Sequence, residues 1–174
     1  ILHAATRARG AIRNISGLLG LCAGGDVSSP ALTDVTLMPK GTSYMFLTGP
    51  AVVKTVTGED VNAEQLGGAS VHAVKSGVAH FAVDTEEDGL KLIRNLLSFI
   101  PQNNLEEAPI VPCDDPIDRI EDSLNEIIPD SHNKAHDQSD VLGSIVDKVE
   151  FPEVPRDLSR NLTLGFARFN EHPV

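Results

Sequence analysis

Apolar positions along this chain come in short clusters broken by glycine and proline, not in one sustained repeat. Residues 1–8 are helix-like but have no Ser, Thr, Asp or Asn ahead of them to cap the free N–H groups. Asn14 to Leu19 reads as a short buried strand, followed by a small-residue turn from Gly20 to Gly25 and a short helix from Val27 to Thr33. This is a strand–turn–helix unit. Val35–Met38 and Tyr44–Leu47 predict two more strands, ended by Pro39-Lys40-Gly41 and Thr48-Gly49-Pro50. Ala51–Val56 predicts a helical turn or two behind Pro50, Gly58 and Gly67-Gly68 punctuate the chain, and His80–Val83 predicts a brief strand.

The clearest helix follows. Asp84 or Thr85 caps it, and Glu86, Glu87 and Asp88 occupy its first turn, where the helix dipole favours anions. Leu90, Ile93, Leu96, Leu97 and Ile100 form its expected apolar stripe, and Pro101 ends it. Residues 102–118 hold Pro109, Pro112 and Pro116 with little periodicity, which fits a linker and a domain boundary near Asn104. Ile120–Ile128 and Val141–Val149 predict amphipathic helices around the polar stretch Asp130–Asp140. Asn161–Phe169 alternates as a strand does and leads into a possible return strand ending at Val174. An uncapped first helix and a last strand in need of a partner read as part of a longer protein.

Composition narrows the function classes. The chain has 174 residues, 41% of them hydrophobic, enough for a sizeable core. Aromatic residues are only 4%, so that core is expected to be mainly Ala, Val, Leu and Ile. No apolar run approaches the roughly 18 residues of a spanning helix, which argues against direct membrane insertion. The net charge of -11 argues against nucleic acid. That charge is uneven: residues 1–80 carry +1 and residues 81–174 carry -12, so the two parts present different surfaces. Cys22 and Cys113 have no zinc or redox spacing, and a reducing compartment is expected.

The turn ending in Gly24 and Gly25 carries the most chemistry. Two glycines at a strand-to-helix turn let two backbone N–H groups point at one oxygen with no Cβ in the way, the geometry of an oxyanion hole. A close-packed turn needing glycine for steric reasons reads the same. The spacing is neither a dinucleotide fingerprint nor a phosphate loop. His132 and His136 are four apart but lack a third ligand at metal spacing, so solvated histidines are expected and no metal site is assigned. Asp114, Asp115 and Asp118 read as turn formers beside Pro116 more readily than as an acid/base pair. Cys22 has no nearby cation to lower its pKa and reads as a packed thiol. Asp34 and His72 are candidates for supporting a site or for purely structural roles.

The run Gly20-Leu-Cys-Ala-Gly-Gly-Asp-Val-Ser-Ser-Pro-Ala-Leu-Thr-Asp34 resembles the signature of the biotin-dependent acyl-CoA carboxyltransferases. Motifs in that family's order continue through Gly41–Pro50, Val52–Asp60, Leu66–Ala69, Ser76–His80, Asn103–Glu106, Asp114–Arg119 and Gly165–Arg168. The resemblance covers essentially the whole chain and is strongest to the members acting on propionyl-CoA or methylmalonyl-CoA. It implies an α/β, crotonase-like ββα superhelix, here incomplete. Residues 1–104 are then the latter part of an N-terminal acyl-CoA-binding domain, and residues 105–174 the start of a C-terminal, biotin-side domain.

The same resemblance implies a function. A carboxyl group passes between biotin, carried on a partner protein, and the α-carbon of a coenzyme A thioester. Gly24 and Gly25 supply the oxyanion hole, with Cys22, Ala23, Asp26, Ser29 and Pro30 around the substrate. The biotin ureido anion takes the substrate α-proton, so no side-chain base is required. Expected partners are a biotin carboxyl carrier or biotin carboxylase subunit and further copies of the chain, in the bacterial cytoplasm or the mitochondrial matrix. Asp26 stands where the family has Ala or Gly, and Asn170-Glu171 replaces its usual Asn-Gly hairpin. A carboxylate there either competes for the oxyanion donors or simply sits in the first turn of a helix. The other readings are a non-catalytic remnant that keeps fold and subunit contacts, and a subunit of a sodium-pumping decarboxylase running the step in reverse.

Overall fold

A computed structural model describes residues 2–129, 131, 133–147, 151–154, 157–158 and 161–174. After helix α1 (Leu2–Ala8) the chain enters β1 (Ile15–Gly17) and β2 (Leu21–Ala23). A 3-10 turn at Gly24–Val27 then leads directly into α2 (Ser28–Ala31). The pattern repeats with β3 (Val35–Pro39), β4 (Tyr44–Phe46) and the helices α3 (Pro50–Thr57), α4 (Ala63–Gly67) and α5 (Ala69–Val71), the last continuing as a π-helical turn over His72–Ser76. It begins again with β5 (Phe81–Val83) and α6 (Glu86–Leu97).

Successive strands go to different sheets. β1, β3 and β5 form one parallel sheet in that order, and β2 and β4 form a second. Parallel strands connected through helices are covered on both faces and read as continuous apolar runs. Val35–Pro39 is covered in this way and is apolar except for Thr36: Leu37 packs with Phe81 and Leu96 in one core, while Met38 packs with Leu18, Met45 and three alanines in the other. The core is mainly Ala, Leu and Val, as expected, with four larger residues added. Both methionines are buried, and Phe81 and Phe99 join them, because sulfur and aromatic side chains fill the gaps between small residues.

Several elements differ from expectation. Leu21–Ala23, expected inside the glycine turn, is β2, in register with Tyr44–Phe46. Helices α4 and α5, expected only as glycine punctuation, arise because Gly67 and Gly68 serve close packing and a helix junction. A Cβ on Gly67 would lie 2.1 Å from the Met45 carbonyl oxygen. Asn62 and Gln65 form a reciprocal capping box at the start of α4. Thr85 caps α6 as expected, its Oγ1 accepting the Asp88 N–H at 3.1 Å. The buried face of α6 is rotated from the expected stripe: Gly89 lies against Leu37, so Leu92, Ile93 and Leu96 pack inward while Leu90 and Leu97 are exposed.

Residues 101–123 contain no helix or strand, consistent in form with the proline-rich linker. The predicted helix over 120–128 shrinks to α7 (Leu124–Ile127), and the predicted 141–149 helix starts earlier as α8 (Gln138–Ile145), capped by Asp137. Its predicted end at 148–149 lies outside the described residues. Near the C-terminus, 152–154 runs antiparallel to 164–166 through Val154 N–H to Leu164 O (2.7 Å) and Phe166 N–H to Pro152 O (3.2 Å). β6 (Arg168–Phe169) and β7 (His172–Pro173) then close a hairpin. The expected alternating strand is thus two short ladders with partners on the chain. Among the described residues no helix is long and apolar enough to cross a membrane.

Candidate active site

The glycine turn sits where β2 becomes helix. Ala23 is extended (φ -137°, ψ 156°), Gly24 is left-handed at φ +65°, and the 3-10 turn begins at once. A left-handed residue is costly with a Cβ, which accounts for Gly24. Gly25 has no such backbone demand. A Cβ at either glycine would meet no atom within 4 Å, so close packing against this chain does not require them. N–H groups in the first turn of a helix have no intrahelical acceptor, and Gly24 and Gly25 open the 3-10 segment. The result is a glycine pair at the strand-to-helix turn with open space where side chains would stand.

The surrounding candidates divide in two. Ala23 is half-buried and Asp26 is exposed in the first turn of the 3-10 segment. Cys22 packs against the Leu18–Met45 core, and burial first, then the Asp26 carboxylate, push its thiol pKa above the ordinary value. Its thiol is therefore a packing group and not a ready nucleophile. Ser29 is half-buried and its carbonyl accepts the Leu32 N–H at 3.2 Å. Pro30 is buried and its carbonyl accepts from Thr33 Oγ1 (2.7 Å) and Thr36 Oγ1 (3.1 Å), so it supports the turn from beneath.

The remaining candidates lie elsewhere. Asp34 accepts the Asn14 N–H at 2.8 Å and pins the entry to β1. The His72 ring bridges the Met45 carbonyl (2.6 Å) and Ser76 Oγ (2.8 Å). Asp114, Asp118 and His136 are exposed, and His132 lies outside the described residues.

A second polar centre was not anticipated. Arg119 bonds Asp115 at 2.6 Å, Glu121 at 3.1 Å, and the carbonyls of Ser144 and Val146. Arg168, 1% exposed, reaches the carbonyls of Pro109, Glu171 and Ser98, and stands 4.6 Å from the centre of the Phe99 ring. The signals available in sequence were the i,i+4 spacing of Asp115 and Arg119 and the family-like motifs at Asp114–Arg119 and Gly165–Arg168. Cys113, Asp115 and Asp147 bring ligand-type atoms within 4.8 Å of one another. Both carboxylates are already engaged, Asp115 by Arg119 and Asp147 by two backbone N–H groups.

Comparison with known proteins places the chain. The family description "Carboxyl transferase domain" matches residues 1–174. The propionyl-CoA carboxylase carboxyltransferase subunit of Haloferax mediterranei is 52% identical over 170 residues, covering 97% of this chain and 33% of that protein. Methylmalonyl-CoA decarboxylase subunit alpha of Veillonella parvula is 50% identical over 169 residues, with coverage of 97% and 33%. A crystal structure of transcarboxylase 12S, described as a hexamer assembly with hydrolysed methylmalonyl-coenzyme A bound, superposes with a TM-score of 0.93 at 41% identity, covering 99% of this chain and 34% of that one. The chain thus spans about a third of the length of the relatives it matches. On the match over its full length, the chain belongs to the carboxyl transferase domain family.

Proposed function

We propose that this chain is part of a biotin-dependent carboxyltransferase that moves a carboxyl group between biotin and the α-carbon of propionyl-CoA or methylmalonyl-CoA. The carrying observation is the open space before Gly24 and Gly25, where the packing of this chain asks for no glycine at position 25. Removing or adding a carboxyl group at the α-carbon passes through an enolate, whose oxygen needs fixed donors. The Gly24 and Gly25 N–H groups supply them, with Cys22, Ala23, Asp26 and Ser29 lining the approach and Pro30 beneath. Relatives named for propionyl-CoA and methylmalonyl-CoA at 50% identity or more support the substrate class.

The wider reading follows from the same comparison. The alternation of strands between two sheets, each pair followed by helix, supports a crotonase-like superhelix. Residues 1–104 then belong to the acyl-CoA domain and 105–174 to the start of a biotin-side domain. Biotin supplies the mobile carboxyl group and arrives on a carrier subunit; the one open glycine pair described here is assigned to the thioester. A relative titled as a hexamer assembly supports homo-oligomerisation, and relatives named mitochondrial leave bacterial cytoplasm or mitochondrial matrix as the proposed compartment. The decarboxylase relative supports a second reading in which the same site runs in reverse.

The test is propionyl-CoA-dependent carboxyl exchange in the full-length protein. Gly25→Val fills the open space and is expected to lower kcat by about 10²–10³. Unchanged exchange in that variant would remove the glycine turn from the mechanism. Asp26→Ala reports on the non-catalytic alternative, which predicts an inactive parent protein with turnover restored by the substitution.

A further inference from the structure

The helical stretch from Gly24 to Ala31 is anchored at both ends. At its start Ala23 is in register with Phe46 in the second sheet. At its far end the Pro30 carbonyl accepts the Thr36 hydroxyl at 3.1 Å, and Thr36 is 1% exposed on β3 of the first sheet. Thr36 is held in turn by His80: its N–H donates to His80 Nδ1 at 3.1 Å, and its carbonyl accepts the His80 N–H at 2.8 Å. Accepting at Nδ1 places the ring proton on Nε2. A chain of hydrogen bonds therefore runs from His80, just before β5, through β3 to the base of the glycine turn.

Backbone donors stabilise a developing oxyanion only if they are aimed before it forms, and a shift of about 1 Å is enough to cost a large part of the rate. A stretch of one 3-10 turn and one α-turn is too short to hold its direction by its own hydrogen bonds. We infer that Thr36, fixed by His80, is a positioning residue that aims the Gly24 and Gly25 N–H groups and so governs turnover more than acyl-CoA affinity. This rests on the carboxyltransferase reading above. Thr36 acts through Pro30, and His80 acts through Thr36.

The experiment measures kcat and KM for propionyl-CoA in the full-length protein carrying Thr36→Val, Thr36→Ser, His80→Leu or His80→Asn. Thr36→Val keeps the shape and removes the hydroxyl, while His80→Leu removes the acceptor. Each is expected to lower kcat about tenfold or more with KM within about twofold of the parent. Thr36→Ser restores the hydroxyl and His80→Asn offers an oxygen acceptor near the Nδ1 position, so both are expected to recover most of the lost kcat. The His80 pair provides the test should Thr36→Val fail to fold. A Thr36→Val protein with a lower Tm but unchanged kcat per folded site overturns the inference, as does Thr36→Ser being as slow as Thr36→Val. A parent protein with no exchange overturns the carboxyltransferase reading and this inference together, whereas an active parent with an insensitive Thr36→Val overturns this inference alone.

Discussion

Asp147 shows how much one buried carboxylate organises. Asn170 and Glu171 turn the C-terminal hairpin with φ +48° and +74°, a primed-turn geometry that normally selects Asn-Gly. Asp147, only 7% exposed, compensates by accepting both turn N–H groups at 3.0 and 2.8 Å. Asp147→Ala leaves both donors without an acceptor and is expected to cost about 2–4 kcal/mol, read as a lower Tm of the intact protein. His80 gives a pH prediction. Burial lowers its pKa from the ordinary value, so below roughly pH 6.5 the unfolded chain takes up a proton that the folded chain resists. Stability is full above that pH and declines as pH falls through it; His80→Asn should flatten this part of the Tm–pH curve.

At the scale of elements, close approach decides what propensity does not. Helix α4 ends on Gly67 because the Met45 carbonyl occupies the space a side chain would need, and Gly67→Ala forces backbone apart where no flexible side chain can yield. The expected cost is about 2–4 kcal/mol, measurable by chemical unfolding, against a small effect for Gly143→Ala, whose surroundings are open. Gly89 on α6 is approached closely too, by side chains and not by backbone. Its nearest neighbour is a Leu37 methyl, and this contact turns Leu90 and Leu97 to the surface although the heptad-like spacing points them inward. The Thr85 N-cap, by contrast, acts where local sequence says it will, because its partner Asp88 lies three residues away.

For the molecule as a whole, exposed apolar surface is the dominant feature. Leu21 on β2, Leu47 after β4 and Val56 on α3 are 67%, 71% and 77% exposed, and Ile117 and Ile120 are 85% and 86% exposed on the extended segment. So many exposed large apolar side chains favour contacts with other protein. The chain expressed alone is therefore expected to self-associate in analytical ultracentrifugation, and a monodisperse, folded monomer would contradict this. The two parts expected on either side of Asn104 also touch. Arg168 and Phe166 close on Ser98 and Phe99, with the Phe rings 5.9 Å apart.

Local sequence determined the elements whose causes are local: the largely apolar strand at Val35, the Thr85-capped helix, and the glycine turn after Cys22. Its chemistry, two glycines between strand and helix, was also legible, since φ and the lack of a Cβ are properties of the residue. Tertiary structure alone decided which glycines face open space and which face a carbonyl, since that depends on Met45 and Leu37 arriving from distant strands. It alone decided that Arg168 and Asp147 organise the acidic half, and that Thr36 and His80, 44 residues apart, meet beneath the turn. Hydrogen bonds between residues so far apart leave no spacing to read, and only the paired strands bring their atoms together.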